Sequence, residues 1–315
     1  MRPRVRFGGI IVLVAILMLL PITPIPPFFH ITLVLYFVFI TLAQSWNLLG
    51  GYSGLLNLGH SAFFGLGVVA GGLAITHGVP IYAALVIGGA TAAGLGIVVS
   101  PTFRLRADYF AIGTLVLPAV VRPALENLTG IHEIIIPTER LLLVTTNYYV
   151  GLGMMLASLT ILYLLISSRY GVALRSMRDD EDAARALGVN VFRLKLFSMV
   201  ASGFFAGVAG GFYASYLGFI SPSDVFGLNF TLTPLFMTLL GGAGTFVGPI
   251  VGAIVFAGLS QLLTSLLPGS NLDLLAFSAL IIFIAVAAPR GLVPLVQRRF
   301  VRATAPIRTA DAAQS

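Results

Sequence analysis

Two stretches of an otherwise apolar sequence hold most of the side chains that could do chemistry. The first runs Asn47-Leu-Leu-Gly-Gly-Tyr-Ser53-Gly54-Leu-Leu-Asn57-Leu-Gly-His60-Ser-Ala-Phe-Phe-Gly-Leu-Gly67. Its Gly-Tyr-Ser53-Gly has the form of a turn that presents a serine nucleophile, and such a serine needs a base within hydrogen-bond reach. His60 stands seven residues further along the same expected helix, about 10 Å away at 1.5 Å per residue, so it cannot serve Ser53. His30, His77 and His132 fall at predicted ends or loops on the far side of the chain's crossings. Hydrolysis is therefore a poor reading. The same glycines and polar side chains do interrupt a hydrophobic run, and backbone groups freed by a helix break must be buried in protein or line a water-filled cavity. That makes Asn47, Ser53, Asn57 and His60, with Tyr109 and Thr114 further on, candidates for a solute pathway. A short turn between two helices, with Asn57 and His60 bonded to nearby backbone, explains the residues equally well.

The second stretch is Arg169-Tyr-Gly-Val-Ala-Leu-Arg175-Ser-Met-Arg178-Asp-Asp-Glu181-Asp182-Ala183-Ala184-Arg-Ala-Leu187-Gly188-Val-Asn-Val-Phe-Arg-Leu-Lys195. Asp179 or Asp180 can cap a short helix, Glu181 and Asp182 suit its N-terminal dipole, and Gly188 can stop it. Ala183, Ala184 and Leu187 are expected on one face, a small apolar patch rimmed by charges that include Arg175 and Arg178. A two-turn helix is not stable alone, so the patch docks either on the chain's own helices or on another subunit.

The elements that must hold these stretches are read from bulk properties. The 315 residues are 58% hydrophobic and 9% charged, with a mean hydropathy of +1.01. That far exceeds what a water-soluble globule needs for its core. The expected fold is all-α, a polytopic transmembrane bundle of about ten helices. Apolar stretches near the required 20 residues fall at roughly 8–28, 31–50, 54–77, 80–100, 109–125, 148–167, 195–217, 229–246, 247–267 and 272–289. With the chain alternating, only Arg122 and Arg140 of the 18 basic residues fall opposite the 168–195 loop, whereas Glu126, Glu133, Glu139, Asp224 and Asp273 gather there. The positive-inside rule then puts the loop and both termini in the cytoplasm. The net charge of +7 is read as orienting charge, not as a nucleic-acid surface. Domain organisation follows: a permease domain over 1–289 with the loop at 168–195, then a basic tail at 290–315 expected to be disordered. The first helix is expected to be an anchor, since prolines follow it and no small-x-small cleavage pattern does.

Small residues mark seams between helices. Gly203, Gly207 and Gly211 recur at intervals of four, as do Gly244, Gly248 and Gly252, and on a helix that spacing lets a neighbouring backbone approach closely. Leu-Leu-Gly-Gly occurs at 48–51 and again at 239–242. There is no cysteine, so no disulfide or thiolate metal site can form. A P-loop ends in Gly-Lys-Ser/Thr, and the sole lysine, Lys195, stands between two leucines, so no ATP site is expected.

Asp182-Ala-Ala-x-x-x-Gly188 resembles the Glu-Ala-Ala-x-x-x-Gly loop through which ABC importer permeases engage their ATPases, with Asp in place of Glu. The run from Tyr170 to Asn190 with Lys195 is similar to the branched-chain amino acid ABC transporter permease family. So are Gly51 to Gly67, Asp108-Tyr-Phe-Ala-Ile-Gly-Thr-Leu115, Leu240-Gly-Gly-Ala-Gly-Thr-Phe-Val-Gly-Pro-Ile-Val-Gly252 and Ala288-Pro-Arg-Gly-Leu292. The blocks come in the family's order and cover the chain from the second helix onward. The resemblance implies a non-enzymatic importer subunit in the bacterial inner membrane. It also implies a second related permease subunit, two cytoplasmic ATPases that bind ATP and Mg, and an extracytoplasmic solute-binding protein. Coupling residues carried over are Arg175, Arg178, Glu181, Asp182, Ala183, Ala184, Leu187 and Gly188. The sequence after Glu126 departs from the family, lacking Gly-Gly-Pro-x-Gly and reading Gly130-Ile-His-Glu-Ile-Ile-Ile-Pro137. The solute, a branched-chain amino acid by resemblance, can therefore also be urea, a short amide or another small solute. An ion-coupled carrier is the rival from another class. It would need an ionisable group near mid-membrane, for which His60 is the one candidate.

Overall fold

The computed structural model describes residues 15–22, 27–105, 107–266 and 291–295. Its long helices are α1 (Pro27–Trp46), α2 (His60–Thr76), α3 (Ile81–Val98), α4 (Ala107–Leu115), α5 (Leu117–Thr129) and α6 (Val144–Ser167). There follow α7 (Arg169–Asp179), α8 (Glu181–Ala186), α9 (Val191–Leu217), the short α10 (Pro222–Val225), α11 (Asn229–Gly241) and α12 (Val247–Leu266). Among the described residues, six stretches are long and apolar enough to cross a membrane: Thr32–Tyr52, Ile81–Val98, Tyr109–Thr129, Val144–Ser167, Val191–Leu217 and Pro222–Gly241. His60–Thr76 and Val247–Ser260 are shorter apolar helices. The expected span at 272–289, residues 8–14 and 23–26 of the expected span at 8–28, and the 290–315 tail apart from 291–295 lie outside the described residues.

Where boundaries differ from the expected ones, glycine and proline account for it. The stretch expected at 109–125 is two helices meeting at Val116, because Pro118 in the first turn of α5 has no N–H to give and crowds the turn before it. The stretch expected at 229–246 stops at Gly241, because Gly242 and Gly244 adopt φ of 121° and 75° and turn the chain. Gly244 therefore lies in that turn and not on the helical stripe expected with Gly248 and Gly252. Those two do sit on α12, against the backbone of Gly241, Gly242 and Met237.

At the centre stands α9, packed on α2 and α3 through glycine. Gly67 faces the backbone of Gly207 and Gly71 that of Gly211, so α2 runs parallel to α9. Gly88 meets Gly207 and Gly96 meets Val200, so α3 runs antiparallel. A Cβ on Gly71 would come within 2.6 Å of the Gly211 Cα, which no real contact allows, so the seam exists only because those side chains are missing. Gly203 completes the stripe beside the Phe63 ring. Around it lie buried aromatics, with Phe64 stacked on Phe230 at 4.5 Å between ring centres. At the end of the bundle opposite α7 and α8, β1 (Ile134–Ile135) pairs antiparallel with β2 (Phe219–Ile220), Ile134 opposite Ile220.

Candidate functional site: a capped helix tied to a broken helix

The charged loop folds as α7 followed by α8. Ser168 caps α7 by accepting the Tyr170 N–H, and Leu174 and Met177 are buried against Leu48, Tyr52, Leu162 and Ile166. Asp180 then caps α8, its carboxylate accepting N–H groups from Asp182 at 3.0 Å and Ala183 at 2.9 Å. The helix ends with Gly188 at φ 86°. The Gly188 N–H bonds to the Arg185 carbonyl and that of Val189 to the Ala184 carbonyl, the paired bonds of a Schellman stop. The expected single apolar face does not form. Ala184 is buried, whereas Ala183 is exposed and Leu187 is 85% exposed. Leu187 lies about 40° round the helix from Ala183, whereas Ala184 lies about 100° from Ala183, so the seat takes the Ala184 edge of that face and leaves the other edge open. The helix is thus seated on its own chain through Ala184 and presents Leu187 outward.

Ion pairs fix that seat. Glu181 pairs with Lys195 at 2.7 Å and with Arg185 at 3.0 Å, and Asp182 also pairs with Arg185. Lys195, whose side chain is 12% exposed, belongs to the first turns of α9, so α8 is fastened to the base of the central helix. Arg175 is half-buried on α7.

The first stretch is a broken helix. From α1 the chain continues through a π-helical segment, Asn47–Tyr52, then irregular backbone over 53–59, and resumes as α2 at His60. Since Phe63 lies beside Gly203, the start of α2 is level with residues near 200 of α9, above Lys195 and inside the bundle. The irregular backbone is answered by protein. The Leu58 N–H donates to Thr114 Oγ1 at 3.1 Å, that of Gly59 to Asn57 Oδ1 at 2.9 Å, and that of Ser61 to Thr231 Oγ1 at 2.8 Å. Trp46 Nε1 donates to the Asn57 carbonyl, and Ser53 Oγ to that of Leu49. Asn47, Ser53, Asn57, His60 and Thr114 are all buried along this break. Tyr109 is 64% exposed on α4 and is not brought to it.

His60 meets a serine other than Ser53: its Nε2 lies 2.8 Å from Ser45 Oγ. Asn57 Oδ1 accepts the Gly59 N–H, so its amide nitrogen faces His60 Nδ1 at 3.4 Å. Nδ1 then accepts and Nε2–H donates to Ser45, whose own hydrogen goes to the Leu42 carbonyl. This relay leaves His60 no lone pair for the serine, so the pair is a helix clasp and not a nucleophile with its base. Ser202 Oγ donates to the Ser45 carbonyl, drawing α9 into the same knot, and Thr238 Oγ1 of α11 to the Ala43 carbonyl. Ser45, Ser202, Thr231 and Thr238 went unremarked in the sequence. Each is a hydroxyl on a largely apolar helix, and the only signal is that such a group needs a partner.

A junction joins the two stretches. Asn47 accepts the Gly244 N–H at 2.8 Å and donates to the Thr245 carbonyl at 2.9 Å, and Gln44 donates to the Phe246 carbonyl. The break is thereby stapled to the turn between α11 and α12, and the two Leu-Leu-Gly-Gly segments end side by side. Into this junction reaches Arg178, the penultimate residue of α7. Its guanidinium donates to the Gly51 carbonyl at 2.9 Å and pairs with Asp179 at 3.0 Å. A Cβ on Gly54 would lie 2.8 Å from the Arg178 Cγ, and one on Gly244 would lie 2.6 Å from its Nη1. Both glycines also hold positive φ, 73° and 75°, so glycine is required there twice over. Gly291, at φ 83°, presses on Gly242 from the other side.

Comparison with known proteins agrees with this architecture. The profile of the family described as "Branched-chain amino acid transport system / permease component" matches residues 29–286. The high-affinity branched-chain amino acid transport system permease protein LivM of Escherichia coli (strain K12) is 29% identical over 299 residues, covering 82% of this chain and 68% of that protein. A probable branched-chain amino acid transport permease protein LivM of Methanocaldococcus jannaschii is 26% identical over 219 residues, 63% of each chain. The autoinducer 2 import system permease protein LsrC of Yersinia pestis (strain Pestoides F) is 31% identical over 121 residues, 37% of this chain and 34% of that one. No solved structure matches the chain. With its several membrane-length apolar helices, the chain is a multi-pass membrane permease belonging to the family of branched-chain amino acid transport system permease components.

Proposed function

We propose that this chain is the membrane-spanning subunit of an ATP-driven importer that carries a branched-chain or related small amino acid by alternating access. The observation that carries the reading is α8 itself, a capped and stopped helix fastened to the bundle on one side and offering Leu187 on the other. A partner ATPase, one of two that bind ATP and Mg, docks on that exposed face. A second related permease completes the pathway and an extracytoplasmic binding protein delivers the solute. The loop end of the bundle faces the cytoplasm of a bacterium, the inner membrane holds residues 1–289 as one permease domain, and the tail follows on the loop side.

Motion enters through two fastenings. Displacement of α8 pulls on α9 through Glu181 and Lys195, and on the broken helix through Arg178 and Gly51. The glycine seams make α2, α3 and α9 one rigid body, so the shift moves helices as units, as alternating access requires. Asn47, Ser53, Asn57, His60 and Thr114 then stand by the path. Their hydrogen bonds are already satisfied within the protein, which suits a route that binds an apolar amino acid weakly and leaves affinity to the binding protein.

A different small solute is the second reading, favoured by the likeness to the autoinducer 2 import permease over 121 residues. Uptake by the assembled complex with its binding protein, competed with a panel of solutes, separates the two. Competition by leucine, isoleucine and valine is the expected result, and competition only by polyols or amides would replace it with the second reading.

A further inference from the structure

We propose that the groove between α7 and the first turns of α9 binds an anionic phospholipid of the bilayer leaflet at the loop end. The groove is about 480 Å³, lined by Arg169, Tyr170 and Ala173 on one wall and Arg193, Leu194 and Phe197 on the other. It lies where two spans meet the bilayer boundary, α6 ending at Ser167 and α9 beginning at Val191. The proposal stands independently of the importer reading.

Three features select the occupant. The first is an apolar floor that reaches into the membrane: Tyr170 and Phe197 stack with 5.2 Å between ring centres and are 45% and 36% exposed. Aromatic rings at this depth suit the junction of headgroup and acyl chain. The second is positive charge that no acid among the described residues balances. The loop's four acids are all engaged: Asp179 with Arg178, Asp180 as a cap, and Glu181 and Asp182 with Arg185 and Lys195. Neither Arg169 nor Arg193 joins an ion pair among the described residues, and Arg169 only lies over the Tyr170 ring at 5.4 Å. No carboxylate lines the groove. The third is that both arginines stand in the first turn of a helix that has no acid there, where a cation is unfavourable unless an anion offsets it.

Two guanidiniums above an apolar trough fit a phosphate carrying an acyl chain. The phosphate bridges Arg169 and Arg193, since guanidinium forks match phosphate geometry, and one chain lies along Leu194 and Phe197. A zwitterionic headgroup brings its own cation to the same arginines and binds less well. A soluble phosphate leaves the apolar floor uncovered.

The test uses the full chain with whatever subunits co-purify, in nanodiscs of phosphatidylcholine doped with photoreactive phosphatidylglycerol or photoreactive phosphatidylcholine. Crosslinked peptides are read by mass spectrometry and affinity by titration. Wild type is expected to capture phosphatidylglycerol on α7 and the start of α9. The double variant Arg169→Gln/Arg193→Gln should weaken it about thirtyfold, taking two surface arginines at the usual contribution each. Arg169→Lys/Arg193→Lys keeps the charge but not the forks, reports on folding, and should bind between wild type and the Gln pair. Equal capture of both lipids, unchanged affinity in the Gln pair, full competition by soluble glycerol phosphate, or loss of capture once an ATPase subunit is bound would each overturn the proposal. The last result would assign the groove to that subunit.

Discussion

Asn47 is the residue whose removal should cost most for its size. It serves two backbone groups of the α11–α12 turn at once, and a leucine of similar volume would leave the Gly244 N–H and the Thr245 carbonyl without that partner. Each unsatisfied buried group costs about 1–3 kcal/mol. Asn47→Leu should therefore lower the thermal midpoint of the purified chain by several degrees, and an unchanged midpoint would mean that the staple carries no stability. Arg178 calls for a different assay because its work is proposed to be mechanical. Lysine keeps the charge but loses the fork that reaches the Gly51 carbonyl and Asp179 together. In a reconstituted complex Arg178→Lys should keep most ATP hydrolysis and lose at least tenfold in uptake, whereas equal loss of both would mark a folding defect. Little of this was legible at the residue scale. Arg178 read as part of a charged rim because its partners, Gly51 and Gly244, are remote in sequence, and their chemistry is backbone that any residue type carries. Ser53 drew attention by its motif, while the serine that meets His60 is Ser45, hidden in an apolar helix.

Among the elements, α8 was the most readable because its signals are local: a carboxylate cap, acids in the first turn and a glycine stop, all within nine residues. Those signals do not say which face is buried. Only the seat on α9 decides that Ala184 turns inward and Leu187 outward. Replacing Gly188 by valine puts a β-branched side chain at φ 86°, at a cost of about 1–2 kcal/mol, and loosens the exit from the helix. Ala184→Asp places a carboxylate in the buried seat. Both variants should insert into membranes in normal amount, measured by quantitative blotting, and both should abolish uptake. Normal uptake in the pair would remove α8 from the mechanism. The glycine stripe on α9 was equally readable, since helical periodicity alone puts Gly203, Gly207 and Gly211 on one line. The second stripe failed at Gly244, where a Gly-Ala-Gly sequence turns the chain before α12 begins. The break at 53–59 was visible as a polar interruption, but its three leucines blurred where α2 starts.

At the scale of the molecule the sequence pattern and the structure meet in charge. The end that carries α7 and α8 gathers basic residues, while the opposite end holds the Arg122–Glu126 pair, Glu133, Glu139 and Asp224. Of the ten crossings expected, the described residues supply six membrane-length spans and two shorter apolar helices. What hydropathy alone could not show is the register of helix on helix, because lipid-facing and protein-facing apolar residues look alike. Exposed Leu164 on α6 and buried Leu162 two places away have the same composition and opposite surroundings.

The central claim is that a separate ATPase drives the bundle through α8. It is tested most directly by uptake of labelled leucine into proteoliposomes. One set holds this chain alone under an imposed proton or sodium gradient, and the other holds the full complex with binding protein and ATP inside or outside. Accumulation only in the second set, and only with ATP on the side that carries α8, is the predicted result. Accumulation driven by an ion gradient in the first set would contradict it.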